Sequence, residues 1–304
     1  MADQVPAPLG VVAHYNLLER LEPAGPGELY RARDTRLGRT VAVRLLRDPA
    51  PAGGDSTALL TEAKALQVLT HPNVTALFDA GLHDGLPYFV FEFLQGQALR
   101  AEMGGGVLGV HRAVDIAVQI ADAVASAHAA GFLHGGLSPD SVFISAKGRV
   151  KVPAFPLASR HGFPAGARQA QLLDSPAPEE TAGAAPDVRS DVYSVGAILF
   201  EMLTARVPQP RGSAAPSATN PRVPAALDAV VLKAVAPNPA RRYPDLLPLL
   251  AELRALRTAL ERSDEADEPV AASSAGRARP ARLGLVLAGM AMAAALAWWL
   301  LSGR

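Results

Sequence analysis

The sequence predicts an α+β fold, strands first and mainly helices later, followed by a single apolar helix; its division into a small antiparallel β-sheet lobe with one helix and a larger, mainly helical lobe is what the family resemblance set out below implies. Three observations carry the α+β fold and the apolar helix. Thr40-Val41-Ala42-Val43-Arg44 alternates as a strand does, and Tyr88 to Leu94 reads as a second strand. From His111 to Ala130, apolar residues recur at Val114, Ala117, Val118, Ala121, Val124 and Ala125, the spacing of a helix face. From Leu283 to Leu301 the chain carries no charge over 19 residues. Such a run spans about 28 Å as a helix, near the thickness of a bilayer's hydrocarbon core.

Composition sets bounds. The 304 residues hold 29 Lys and Arg against 29 Asp and Glu, so the formal net charge is zero. That balance leaves no basic footprint, and no nucleic-acid partner is expected. Cysteine is absent, which rules out a disulfide framework and a thiolate metal site and fits a reducing compartment. Residues 1–12 lack the basic start and apolar run of a signal peptide and are expected to be flexible.

The stretch from Val124 to Ala158 reads VASAHAAGFLHGGLSPDSVFISAKGRVKVPAFPLA. It resembles the catalytic and metal loops of protein kinases of the bacterial Ser/Thr type, which read AHAAGxxHRDLKPEN and then VKxxDFGxA. The frame is kept while the chemical groups are replaced. His134-Gly135-Gly136 stands at His-Arg-Asp, Ser138 at the Lys two residues on, Ser141 at the metal-binding Asn, and Ala154-Phe155-Pro156 at Asp-Phe-Gly. Phosphoryl transfer relies on positioning and charge neutralisation. Gly136 has no side chain to accept a proton, a role worth about 10²- to 10⁴-fold. Ala154 has no oxygen and Ser141 is a weak neutral ligand, whereas Mg²⁺ takes carboxylate and phosphate oxygens. No catalytic set is intact at Gly136, Ser138, Ser141 and Ala154, and no metal site is expected.

Taken in order, the first lobe spans residues 13–94. Leu21 to Ala32 resembles the family's Gly-rich loop, although its glycine positions fall on Glu22, Ala24 and Gly27 and only the last survives, with Gly25 nearby. Glu22 adds a negative charge, and Pro23 and Pro26 each remove an N–H donor. On its residues alone the stretch also reads as an ordinary β-turn. Thr40 to Arg44 resembles Val-Ala-x-Lys, with Arg44 at the phosphate-pairing Lys; Arg keeps the charge but is a wider fork. Glu62, in a helical run, matches the helix-C Glu, so the resemblance implies an Arg44–Glu62 bridge. The bland alternative makes Arg44 a surface cation. His71-Pro72-Asn73 matches a structural turn. Phe91 falls at the gatekeeper, and Glu92 and Leu94 would offer backbone groups to an adenine. Gly25, Gly27, Ala42, Arg44, Glu62, Glu92 and Leu94 thus outline the nucleotide pocket that the resemblance implies.

The second lobe spans residues 95–262. Leu66, Leu77, His134 and Phe155 match the stacked spine that ties the lobes together. Asp191 matches the helix-F Asp beneath it. Ala177-Pro178-Glu179 matches Ala-Pro-Glu, with Arg242 as the Arg partner. Ser159 to Pro176 matches the activation loop. There the family's Gly-Thr is Gln171-Leu172, and the Arg that would clasp a loop phosphate is Gly135, so activation by loop phosphorylation is not expected. Asp140 reads as a solvated loop carboxylate or, alternatively, a displaced base. Asp174 has no place assigned by sequence.

Residues 263–282 are polar, acidic early and basic late, with the composition of a disordered linker. Residues 283–301 read as a transmembrane helix, with Trp298 and Trp299 at the far interface and Arg277, Arg279 and Arg282 on the cytoplasmic side. The alternative is a buried or amphipathic helix. Gly284, Ala288, Gly289, Ala293 and Ala297 have small-residue spacings that allow helix pairing and a homodimer, although such spacings also arise by chance in an Ala-rich helix. The combined expectation is a single-pass inner-membrane protein with its kinase-like domain in the cytoplasm, a catalytically inactive member of the family acting as a signalling scaffold or regulator. Its partners would be other signalling proteins or an active kinase, and ATP could bind without well-held Mg²⁺. The alternatives are a weak, atypical ATP-dependent Ser/Thr kinase and a Mg²⁺-independent nucleotide switch.

Overall fold

Alternating burial shapes the first lobe. In Tyr15–Leu21 and Glu28–Asp34, the residues Tyr15, Leu17, Tyr30 and Ala32 point to one buried side while their neighbours meet solvent. The computed structural model describes residues 8–21, 27–46, 56–153 and 176–267. Strands β1 (Gly10–Val12), β2 (Tyr15–Leu21), β3 (Glu28–Asp34), β4 (Arg39–Leu45), β5 (Leu77–His83) and β6 (Leu86–Glu92) form an antiparallel sheet in the order β1-β2-β3-β4-β6-β5. One face gathers Tyr15, Leu17, Tyr30, Val41, Val43, Tyr88 and Val90. The other side takes helix α1 (Ser56–Leu66), where Leu59, Ala63 and Leu66 pack on Leu46, Leu77 and Phe89.

The second lobe is helical because its segments carry long apolar stripes. Helix α2 (Leu99–Met103) is followed by α3 (Val110–Ala129), whose Val114, Ala117, Ala121 and Val124 are fully buried. Short strands β7 (Gly96–Ala98), β8 (Phe143–Ser145) and β9 (Val150–Lys151) make a second antiparallel sheet. Then come α4 (Pro178–Thr181), α5 (Val188–Thr204), α6 (Ala225–Ala234) and α7 (Leu246–Asp267). Asp187 caps α5, accepting a hydrogen bond from the Arg189 N–H at 2.7 Å. Helix α5 is buried almost along its length and packs with α3 and α6 in the main core. The two-lobed α+β architecture is therefore as expected.

Three expectations are corrected. Residues 1–12 are not wholly flexible: Gly10–Val12 is a strand, paired with β2 from Gly10↔Leu17 to Val12↔Tyr15. Its Val12 is buried against the sheet, and a run so short gives little periodicity to read. At the other end, helix continues to Asp267, past Glu261 where the apolar spacing stops and into the segment read as a linker. The residues added include Glu and Ala, which favour helix without needing a buried face.

The membrane anchor is the third. No helix among the described residues is long and apolar enough to cross a membrane. The last described helix, α7, has a buried stripe of Leu246, Leu249, Leu250 and Leu253, but its other faces carry Glu252, Arg254 and Arg257, which a bilayer core would penalise. The run 283–301 and residues 268–282 lie outside the described residues. The anchored architecture, the inner-membrane location, the membrane as a partner and helix pairing along that run thus have no structural element among the described residues to carry them and are withdrawn.

Candidate functional site

Strand alternation assigns the cleft residues. Val41 and Val43 turn into the core on one face of β4, so Ala42 and Arg44 share the opposite face with register partners Phe91 and Phe89 of β6. Phe89 and Phe91 belong to the cluster covered by α1. Arg44 is half-buried as a residue, but its guanidinium is sunk, and burial pushes its pKa down to about 10. It therefore stays cationic at neutral pH, and the surface-cation alternative is set aside. Glu62 is half-buried on α1 between the buried Leu59 and Ala63. Leu94 is half-buried beyond the end of β6.

Gly27 has a structural role. Its φ is +80°, and a Cβ there would collide with the carbonyl oxygen of Leu45. The surviving glycine is thus required by the close approach of the chain to the end of β4, whatever its role toward phosphates. Glu22, Ala24 and Gly25 lie outside the described residues, as do Ala154, Phe155, Pro156 and the segment 159–175 with Gln171, Leu172 and Asp174.

The catalytic-loop frame hangs from one carboxylate. Asp191, on α5, is 1% exposed and accepts hydrogen bonds at 2.8 Å from the backbone N–H groups of His134 and Gly135. His128 Nε2 lies 2.7 Å from the same carboxylate. Burial pushes the Asp191 pKa up, but His128, His134 and the two N–H groups outweigh it and hold it below the usual range. Desolvation lowers the pKa of the buried His134 ring, as suits a packing residue rather than a proton acceptor.

Further along the loop, the two serines close on each other. The Ser141 hydroxyl donates to the Ser138 carbonyl at 2.9 Å and accepts from the Ser138 N–H at 2.9 Å. The Ser138 hydroxyl in turn accepts from the Ser141 N–H at 3.3 Å. Asp140 accepts from Arg100 Nε at 3.0 Å, and Arg100 also pairs with Glu201 of α5. The carboxylate considered as a displaced base is therefore held by a cation anchored to helix α5.

The expected Glu179–Arg242 pair is present as a fork: two N–H groups of Arg242 reach the two carboxylate oxygens at 2.7 Å each. Ser190 donates to Glu179 at 2.8 Å, and the Arg242 side chain is fully buried over the Tyr193 ring. Leu66 and Leu77 of the spine pack in one cluster, joined by Ala127 of the second lobe.

Sequence reading missed several partners. Lys151 of β9 reaches Glu92 at 2.7 Å, so the side chain of a residue assigned for its backbone is bound to the other lobe. Nothing in the sequence singles out His128 as the partner of Asp191 beyond its position in the AHAAG run before the loop. An apolar groove of about 580 Å³ lies at the outer side of the first lobe, lined by Leu9, Val11, Leu17, Tyr30, Leu45 and Leu86. It shares none of the assigned cleft residues and has no part in the site.

Two positions among the described residues bear on a Mg²⁺-bound nucleotide. Gly136 offers no carboxylate, and the Ser141 hydroxyl donates to and accepts from Ser138. Among the described residues no cluster of three His, Cys, Asp or Glu could hold a metal ion. Fold and site together define a two-lobed protein-kinase scaffold with glycine at 136 and serine at 141 of its catalytic-loop frame.

Comparison with known proteins agrees on the scaffold. The protein kinase domain family matches residues 16–239, and this chain belongs to that family. It is 32% identical over 270 residues to the probable serine/threonine-protein kinase PknB of Lactococcus lactis, covering 83% of this chain and 43% of that protein. It is 34% identical over 265 residues to the serine/threonine-protein kinase PknB of Mycobacterium tuberculosis, covering 79% and 42%. The chain thus spans about two fifths of the length of these relatives. The crystal structure of the Mycobacterium tuberculosis PknI kinase domain superposes with a TM-score of 0.67 at 25% identity, covering 81% of this chain and 97% of that one.

Proposed function

We propose that this chain works by binding rather than by phosphoryl transfer: a kinase-fold scaffold or regulator that docks a signalling protein, such as an active kinase. The observation that carries this reading is the catalytic loop. It is fully braced from below by Asp191, yet presents a glycine at the base position and a hydroxyl closed on its own turn at a metal position. The displaced-base reading loses support because Asp140 is held by Arg100. The test is radiolabelled ATP phosphotransfer by the 304-residue chain with Mg²⁺ and a generic protein substrate. No signal is expected. A signal abolished by Arg44→Ala overturns the reading.

A second reading concerns nucleotide alone. Arg44 keeps a cation within the cleft, and its charge survives burial. Backbone contacts at Glu92 and Leu94 do not depend on the missing carboxylates. On this reading ATP binds without Mg²⁺ and acts as a switch. Thermal shift with ATP decides: stabilisation undiminished by a chelator supports it, Mg²⁺-dependent stabilisation supports an atypical enzyme, and no shift supports the scaffold.

A further inference from the structure

The two lobes are joined by a hinge that is pinned at both ends. At the upper end, Glu92 closes β6. Its N–H donates to the Ala76 carbonyl at 2.9 Å, and its carboxylate meets Lys151 Nζ at 2.7 Å. Lys151 belongs to the other lobe, paired with Phe143 in the β7-β8-β9 sheet. Its ammonium also lies 3.5 Å from the Val74 carbonyl. Around it the backbones interlock: Val152 N–H donates to Asn73 at 2.7 Å, and Thr75 N–H donates to Val152 at 2.9 Å. The Asn73 amide then reaches Val150 at 2.8 Å and Gln119 of α3 at 3.0 Å.

At the lower end, Gly96 starts β7 opposite Ser145, so close that a Cβ would collide with the Ile144 carbonyl. Only Phe93, Leu94 and Gln95 lie between the two anchors. Lobe closure in a two-domain fold depends on a few hinge residues absorbing large backbone changes. Here that freedom is confined to three residues, and an ion pair spans them from lobe to lobe.

We propose that Glu92 and Lys151 form an interlobe latch that sets the angle between the lobes without any nucleotide. The pair joins the segment that would meet an adenine to the strand leading into residue 154. A partner that bound the carboxylate of Glu92 or the ammonium of Lys151 would release the lobes. This inference does not depend on whether the chain transfers phosphate.

The absence of cysteine makes the test specific. Leu37→Cys and Val207→Cys, at exposed positions on the two lobes, take spin labels in the 304-residue chain. Without nucleotide, one narrow distance is expected. Lys151→Met and Glu92→Gln each broaden it and shift it, and Lys151→Arg restores it. Amide exchange at Phe93, Leu94 and Gln95 rises up to about fivefold, the change that a partly exposed pair can produce. Glu92→Gln decides if Lys151→Met fails to fold. A distribution that is broad from the start, or one unchanged by Glu92→Gln, overturns the latch.

Discussion

The hydroxyl of Ser141 donates to the carbonyl of Ser138 at 2.9 Å, so the side chain standing where a kinase holds metal is committed inside its own turn. Ser138 and Ser141 form a closed hydrogen-bond circuit within the loop. Ser141→Ala removes both bonds that the hydroxyl makes with Ser138, so it should cost about 1–3 kcal/mol in urea denaturation, and should leave nucleotide response untouched.

Restoring the oxygens tests the same point from the other side. The combined variant Gly136→Asp, Ser141→Asn and Ala154→Asp is expected to gain an ATP stabilisation that requires Mg²⁺. At ligand one hundred times its dissociation constant the gain is about 2.7 kcal/mol. A melting curve with ATP, Mg²⁺ and a chelator in turn reads it out. A variant that folds but shows no Mg²⁺-dependent shift would mean that the cleft is obstructed by more than its missing carboxylates.

Asp191 braces the loop from beneath, and its removal should be felt globally. Asp191→Ala leaves the N–H groups of His134 and Gly135 without their acceptor. Each orphaned buried donor costs about 1–3 kcal/mol. A loss of about 2–6 kcal/mol in chemical denaturation is expected, with Asp191→Asn losing less because one carbonyl acceptor remains.

The Glu179–Arg242 fork predicts a pH dependence. Burial pushes the Glu179 carboxyl up, but Arg242 and Ser190 hold it below its ordinary value of 4.5. A depressed folded pKa gives stabilisation that is complete above the unfolded value and lost as pH falls below about 4.5 through the folded one. Arg242→Met should lower stability near neutrality by about 3–5 kcal/mol. It should also flatten the acid slope in that window, as measured by denaturation at stepped pH.

Gly27 separates backbone necessity from nucleotide contact. Gly27→Ala forces a side chain at φ +80° against the Leu45 carbonyl. A destabilisation of about 1–3 kcal/mol is expected, measurable by thermal melting with no ligand present.

Much of the fold was legible because apolar spacing reports burial directly. The α3 stripe at Val114, Ala117, Ala121 and Val124 is buried as its periodicity implies. Gly10–Val12 was not legible, since three residues give no period and the strand exists only because β2 offers it a partner. The membrane expectation is overturned on the described residues, where no helix is long and apolar enough to cross a membrane. In the site, Asp191 and the Glu179–Arg242 fork matched their expected roles. The tie between Glu92 and Lys151 did not show, because 58 residues of chain separate Glu92 from the facing strand.

Sequence alone determined which atoms are missing. A glycine at 136 and an alanine at 154 supply no carboxylate in any fold, since covalent structure decides what a side chain can offer. Only the tertiary structure decided where the remaining polar groups are bound: Ser141 on Ser138, Asp140 on Arg100, Glu92 on Lys151. Hydrogen bonds and ion pairs form between groups that folding brings within about 3 Å of each other, and spacing along the chain does not record that distance.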